Sequence, residues 1–216
     1  ALLSGRFNTD IDLLYGNVTE EGSFLMASHY PEFNREDFVL TLDSTREYIM
    51  KYVGKKNPTN EKCVNEIARF YMERENLSEC STQEDFRRAI FHATGDYQYG
   101  VGTILFGQTV ARQLSRNTGK SAYAWLLSQS PGNHLVPINT PNWMGVCHSD
   151  EMFYILAISL QTKPEDRELS HDIIRVWTRF ARDGHPGTFK GVEWTQALEH
   201  KNGSTSCMEL CYEPRM

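Results

Sequence analysis

Ile11, Leu13, Leu14 and Tyr15 form a short apolar run that breaks at Gly16. A run this short, with little polar alternation, reads as a buried strand with the glycine as its stop. Strands of that kind belong to parallel sheets covered on both faces, because a solvated face would demand polar residues at every second position. Ligands of open sheets built this way gather beyond the carboxyl ends of the strands. Two adjacent carboxylates, Glu20 and Glu21, stand just beyond this one.

Positions 35–93 carry helical periodicity instead. One helix is expected over Ser44–Tyr52. A second spans Asn60–Glu75, with Val64, Ile67, Ala68 and Tyr71 at helical spacing. A third spans Ser81–Ala93, where Ser81 and Glu84 read as a capping box ahead of Phe86, Ala89, Ile90 and Ala93. Further along, Thr103–Ser115 reads as a helix and Ala122–Leu127 as a strand. Leu169–Arg182 is an amphipathic helix stopped by Gly184 and Pro186, and Met208–Tyr212 adds a last short strand.

At 216 residues the chain has room for one domain or a domain and a half. A net charge of −6, with no basic cluster beyond Lys55-Lys56, excludes a nucleic-acid surface. No apolar run approaches the ~18 residues of a membrane span. The five cysteines are an odd number, so at least one thiol lies outside any internal pairing. Cys63 and Cys80 are free to pair with each other or elsewhere. Cys207 and Cys211 on one strand would stand about 13 Å apart, too far for a bond.

Chemistry concentrates in two stretches. In Gly145–Tyr154, His148 follows a glycine turn and precedes an apolar run, Met152–Leu160, expected to be helical. A histidine at the mouth of a packed element is suited to proton transfer. In Leu14–Ser23 the candidates are Glu20 and Glu21. Read alone, these carboxylates are a solvated turn and the histidine is structural. His185 beside Asp183 belongs to a helix-ending turn and is no evidence of a dyad. No H-E-x-x-H or H-x-x-E-H spacing occurs, so no metal and no cofactor are expected. No G-x-S-x-G nucleophile elbow occurs either; Gly119–Tyr123 is the nearest approach and lacks the second glycine.

Taken together the stretches resemble the type-B carboxylesterase/cholinesterase family of α/β-hydrolases. Gly16–Ser23, G-N-V-T-E-E-G-S, is similar to the family's acid motif G-V-x-x-D-E-G-S. Trp143–Glu151, W-M-G-V-C-H-S-D-E, is similar to its histidine motif W-x-G-V-x-H-G-x-E. Gly95-Asp96, Ala122–Trp125 and Val176–Pro186 match further family segments in order. The resemblance implies that residues 1–216 are the C-terminal part of an α/β-hydrolase fold, with mainly parallel strands and many helices. The N-terminal half, with the serine nucleophile and the oxyanion loop, would be the partner of this piece.

By the same resemblance Glu21 is the acid and His148 the base of a Ser-Glu-His triad. Glu151 and Asp96 are supporting groups behind it. Phe24, Leu25 and Trp143 line the substrate pocket. Leu25 and Ser28 stand where the cholinesterase branch carries rings, which favours small lipophilic esters over choline esters, since ring faces recognise cations. Glu20 replaces the family's usual Asp and is given no chemical role. Ser149 and Ala157 stand where glycine is usual, and Val101-Gly102 where Cys-Pro is. The family implies a secreted or extracellular glycoprotein with disulfides, free or anchored to a membrane through a further segment. Of the sequons at Asn17, Asn76 and Asn202, sugar is expected on Asn76 and Asn202 and not on Asn17. The alternative reading is a cholinesterase-like adhesion or binding protein that kept the fold and lost catalysis.

Overall fold

The computed structural model describes residues 2–35, 37–56, 58–117, 119–131, 142–158, 163–198 and 204–216. It divides into two compact units. One comprises Ala1–Val18, Gly102–Pro137 and Ser149–Met216; the other comprises Thr19–Val101 and Ile138–His148.

The first unit is built on a parallel sheet. Strand β1 (Leu13–Val18) pairs with β2 (Ala122–Leu127) from Leu13↔Ala122 to Val18↔Leu127, and β2 pairs with β5 (Met208–Leu210). Gly16 does not stop β1, as the sequence had implied, but lies inside it. A Cβ at this position would fall 2.1 Å from the Trp125 carbonyl oxygen and 2.3 Å from its indole. The glycine is there because the neighbouring indole needs its space, and local composition cannot distinguish that from a turn. Helix α5 (Val101–Asn117) starts two residues before the expected point, and its Val110 and Leu114 pack with Tyr15 of β1.

Helix α7 (Pro164–Asp183) starts five residues before the first residue of its apolar face, because Pro164 opens it at N1. It ends at Gly184, with φ at 76°. The helix expected over Met152–Leu160 is shorter: α6 spans Asp150–Ile155, and Ala157 just beyond has φ at 60°. Buried Asp166 of α7 accepts hydrogen bonds from Tyr154 Oη at 3.2 Å and Tyr212 Oη at 2.9 Å, tying α6 and the tail to α7. A two-stranded hairpin, β3 (Thr188–Phe189) with β4 (Val192–Glu193), follows α7.

The second unit is helical: α1 (Glu21–His29), α2 (Leu42–Lys56), α3 (Glu61–Arg74) and α4 (Gln83–Gly95). They enclose a core in which Met26, Phe33, Ile49, Val53, Ala68 and Ile90 are fully buried. The cap of α4 is one residue later than the sequence signature implied. Thr82 Oγ1 accepts from the Asp85 amide, and Asp85 Oδ2 accepts from the Thr82 amide. A threonine–aspartate pair closes the box as well as the serine–glutamate pair one residue earlier would have done. No two of the five cysteines are bonded to each other in this structure, and Cys63 and Cys80 are exposed. Among the described residues no helix is long and apolar enough to cross a membrane.

Candidate active site

Glu20 and Glu21 close the link between β1 and α1 in sequence, and Glu21 is the first residue of α1. A carboxylate in a helix's first turn is favoured by the unpaired amides and the dipole there. Gly22 and Gly95 let α1 approach α4 closely: a Cβ on Gly22 would lie 2.1 Å from the Phe91 carbonyl oxygen, and one on Gly95 3.0 Å from the Glu21 Cβ. The glycines flanking the acid and preceding Asp96 therefore serve one helix crossing.

The segment carrying His148 lies alongside this turn. The Glu20 amide donates to the Val146 carbonyl at 3.1 Å, and the Val146 amide donates to Glu20 Oε2 at 2.9 Å. Glu20 and Cys147 form an isolated parallel bridge. Glu20, given no chemical role by the resemblance, holds the histidine segment by main chain and side chain together. The Ser23 hydroxyl and amide both donate to the Glu20 carbonyl, at 2.8 and 3.0 Å, which fixes the turn from the other side.

With that segment held, His148 Nδ1 lies 2.6 Å from Glu21 Oε2. The carboxylate is 11% exposed and the imidazole 34%. A neutral imidazole donating from Nδ1 carries its lone pair on Nε2, the arrangement a general base requires. Two rings flank the imidazole. Tyr99 stacks on it with centroids 4.4 Å apart and planes within 8°; Phe24 lies 6.1 Å away at 28°. Burial and the nearby Glu21 charge both push the Tyr99 phenol above its ordinary range.

Trp143 packs with Phe24 against buried Met144 and Cys147. Leu25 is buried at 6% exposure in the helical core. Trp143 stacks on Phe91 at 5.4 Å, with the Arg87 guanidinium 5.5 Å from its ring centroid. Asp96 accepts from Tyr71 Oη at 2.8 Å and from Arg74 at 3.3 Å, anchoring the turn that follows α4. Glu151 stands half-buried in the first turn of α6, beside fully buried Asp150. Asn17 lies within β1 at 9% exposure, and Asn76 is exposed with φ at 51°. Asn202 lies outside the described residues. Among the described residues no three His, Cys, Asp or Glu side chains gather as a metal site would require. Two contributors escaped the sequence reading, Glu20 and Tyr99. The one local signal for Tyr99 is the Tyr97-Gln98-Tyr99-Gly100 interruption of an otherwise helical pattern.

The chain is 27% identical over 190 residues to an acetylcholinesterase of Bungarus fasciatus, covering 86% of this chain and 29% of that protein. It is 28% identical over 184 residues to a bile salt-activated lipase of Bos taurus, covering 83% and 29% respectively. With acetylcholinesterase 1 of Caenorhabditis elegans it shares 25% identity over 215 residues, 95% of this chain and 33% of that protein. The chain thus spans about a third or less of the length of these relatives. The profile described as Carboxylesterase family matches residues 2–216, and the chain belongs to that family, with its α/β-hydrolase fold.

Proposed function

We propose that this chain carries the acid and base of a serine carboxylic-ester hydrolase, Glu21 and His148. The observation that supports this most directly is the 2.6 Å contact between Glu21 Oε2 and His148 Nδ1. His148 Nε2 takes the proton of a serine hydroxyl as its oxygen attacks the ester carbonyl carbon. The tetrahedral adduct expels the alcohol, which leaves with that proton, and an acyl-enzyme remains. Water then repeats the sequence and releases the acid. Glu21 holds the ring tautomer and stabilises the imidazolium in both halves. The serine and the oxyanion donors come from a further part of the same domain. Phe24 beside the base favours lipophilic esters.

In the full-length protein, His148→Gln is expected to lower turnover of a short-chain aryl ester by at least about a thousandfold. Wild-type turnover by that variant would remove His148 from the mechanism. Failure of the wild-type protein to take up a fluorophosphonate would favour the adhesion reading instead.

We also infer passage through the secretory route, with sugar on exposed Asn76 and none on Asn17, whose place inside a paired strand leaves no room for a glycan. Glycopeptide mass spectrometry finding Asn17 occupied would sink the second half of that statement, and unmodified Asn76 the first.

A further inference from the structure

We infer that Tyr99 is a positioning residue for His148, holding the imidazole flat while Glu21 holds it by one edge. The inference rests on the esterase reading given above.

One hydrogen bond does not fix a ring. With Nδ1 held by Glu21, the imidazole can still rock about its Cβ–Cγ bond within the slack of that contact, and the rocking carries Nε2 out of the plane in which it must meet a hydroxyl. A general base misplaced by about 1 Å loses on the order of a hundredfold in rate. A flat ring stacked on the imidazole blocks the rocking. Tyr99, 4.4 Å away and within 8° of parallel, meets that requirement; Phe24, at 6.1 Å and 28°, does so less well. The face of a phenol also attracts a cation, so the ring favours the imidazolium formed at each proton transfer.

The backbone is built to deliver this ring. Between α4 and α5 the chain makes one wide turn, Asp96–Gly100, in which the Val101 amide bonds back to the Asp96 carbonyl five residues earlier. Such single wide turns add a residue to a helical path, re-aim side chains, and concentrate at functional sites. Here Asp96 is clamped by Tyr71 Oη and Arg74, and Gln98 Oε1 accepts from Tyr52 Oη at 3.3 Å. Both anchors precede Tyr99 and hold the turn that aims it. The role of Asp96 is then to support Tyr99.

The test uses the full-length enzyme and three variants: Tyr99→Phe, Tyr99→Leu and Tyr99→Met. Turnover is expressed per site titrated with a fluorophosphonate, so misfolded protein drops out of the count. Tyr99→Phe keeps the face and is expected to stay within about twofold of wild type. Tyr99→Leu and Tyr99→Met remove it and are expected to lower kcat about tenfold with KM within about twofold, a loss of the size of one ring contact. Wild-type kcat in both flat-face deletions overturns the inference. So does a Tyr99→Phe as slow as Tyr99→Leu, because the hydroxyl and not the face would then matter. His148→Gln is measured in parallel. If it retains turnover, the esterase reading fails; if it loses turnover while Tyr99→Leu does not, only the positioning role fails.

Discussion

The helical unit contains two carboxylate–imidazole pairs that share nearly the same local geometry. His148 Nδ1 meets Glu21 at 2.6 Å, and His92 Nδ1 meets Glu75 at 2.8 Å. The carboxylates are equally buried, at 11% and 12% exposure. What differs is the surroundings. Glu75 also faces the Arg74 guanidinium at 3.7 Å, so part of its charge is already compensated and its hold on an imidazolium is weaker. His92 is 19% exposed and His148 34%, so the second imidazole is the more open to a reaction partner. His148 also carries a stacked ring. The Glu75 pair joins residues 17 apart and staples α3 to α4; the Glu21 pair joins residues 127 apart and adds a side-chain tie to a segment that Glu20 already holds. The Glu–His distance alone does not separate the two pairs; exposure and the stacked ring do.

The largest expected effect separates the two pairs outright. Beside His148→Gln, the variant His92→Gln is expected to keep ester turnover within about threefold and to lose about 1 kcal/mol of stability, one hydrogen bond's worth. A collapse of kcat in His92→Gln, measured per titrated site, would break the distinction and make the α3–α4 staple part of the active machinery.

A smaller effect is expected at Glu20. Its carboxylate holds the Val146 amide, a second anchor on the segment that carries His148. Glu20→Ala removes the acceptor and is expected to lower stability by about 1–3 kcal/mol and kcat about tenfold. Glu20→Gln, which keeps an acceptor oxygen, should recover most of both. Urea midpoints and turnover per titrated site report the two quantities. If Glu20→Ala destabilises the protein without lowering kcat, the anchor serves the fold and not the placement of His148.

These contrasts also mark what the sequence could and could not reveal. The parallel strands were legible at Leu13–Tyr15 and Ala122–Leu127 because a buried strand has few alternatives in composition. The contact between Glu21 and His148 was anticipated only through motif resemblance; nothing in the local periodicity of either segment says that they meet. Glu20 looked dispensable because its partner is a backbone amide, and amides leave no trace in a sequence. Tyr99 was hard to see for a related reason: its direction is set by one wide turn, and that turn is held by Tyr71 and Arg74 of α3 and Tyr52 of α2. Gly16 was misread because a glycine that stops a strand and one that clears space for Trp125 look alike until the partner strand is known. Ser81 and Thr82 are interchangeable as caps, so a one-residue slip at α4 was open until the hydrogen bonds were seen.

The smallest expected effect concerns the residue that follows each pair. Asn76 follows Glu75 and Ser149 follows His148, and both are left-handed, with φ at 51° and 77°. Asparagine tolerates that region because its amide bonds locally; serine gains less and keeps the Cβ clash that glycine avoids. The family pattern that Trp143–Glu151 resembles has glycine at the position of Ser149, and the left-handed backbone found there is one that glycine adopts without strain. Ser149→Gly is therefore expected to stabilise the protein by about 0.5–1 kcal/mol, because the relief of strain outweighs the added freedom of the unfolded chain. Ser149→Ala retains the clash and should gain nothing. The comparison is sharpened by Asn76→Gly, made in a Ser78→Ala background so that the sequon is absent from both proteins. There the change should stay within a few tenths of a kcal/mol. Equilibrium urea midpoints decide the matter: equal gains at the two positions would show that the left-handed backbone costs the same after either pair, and the serine behind His148 would then be no more strained than the asparagine behind Glu75.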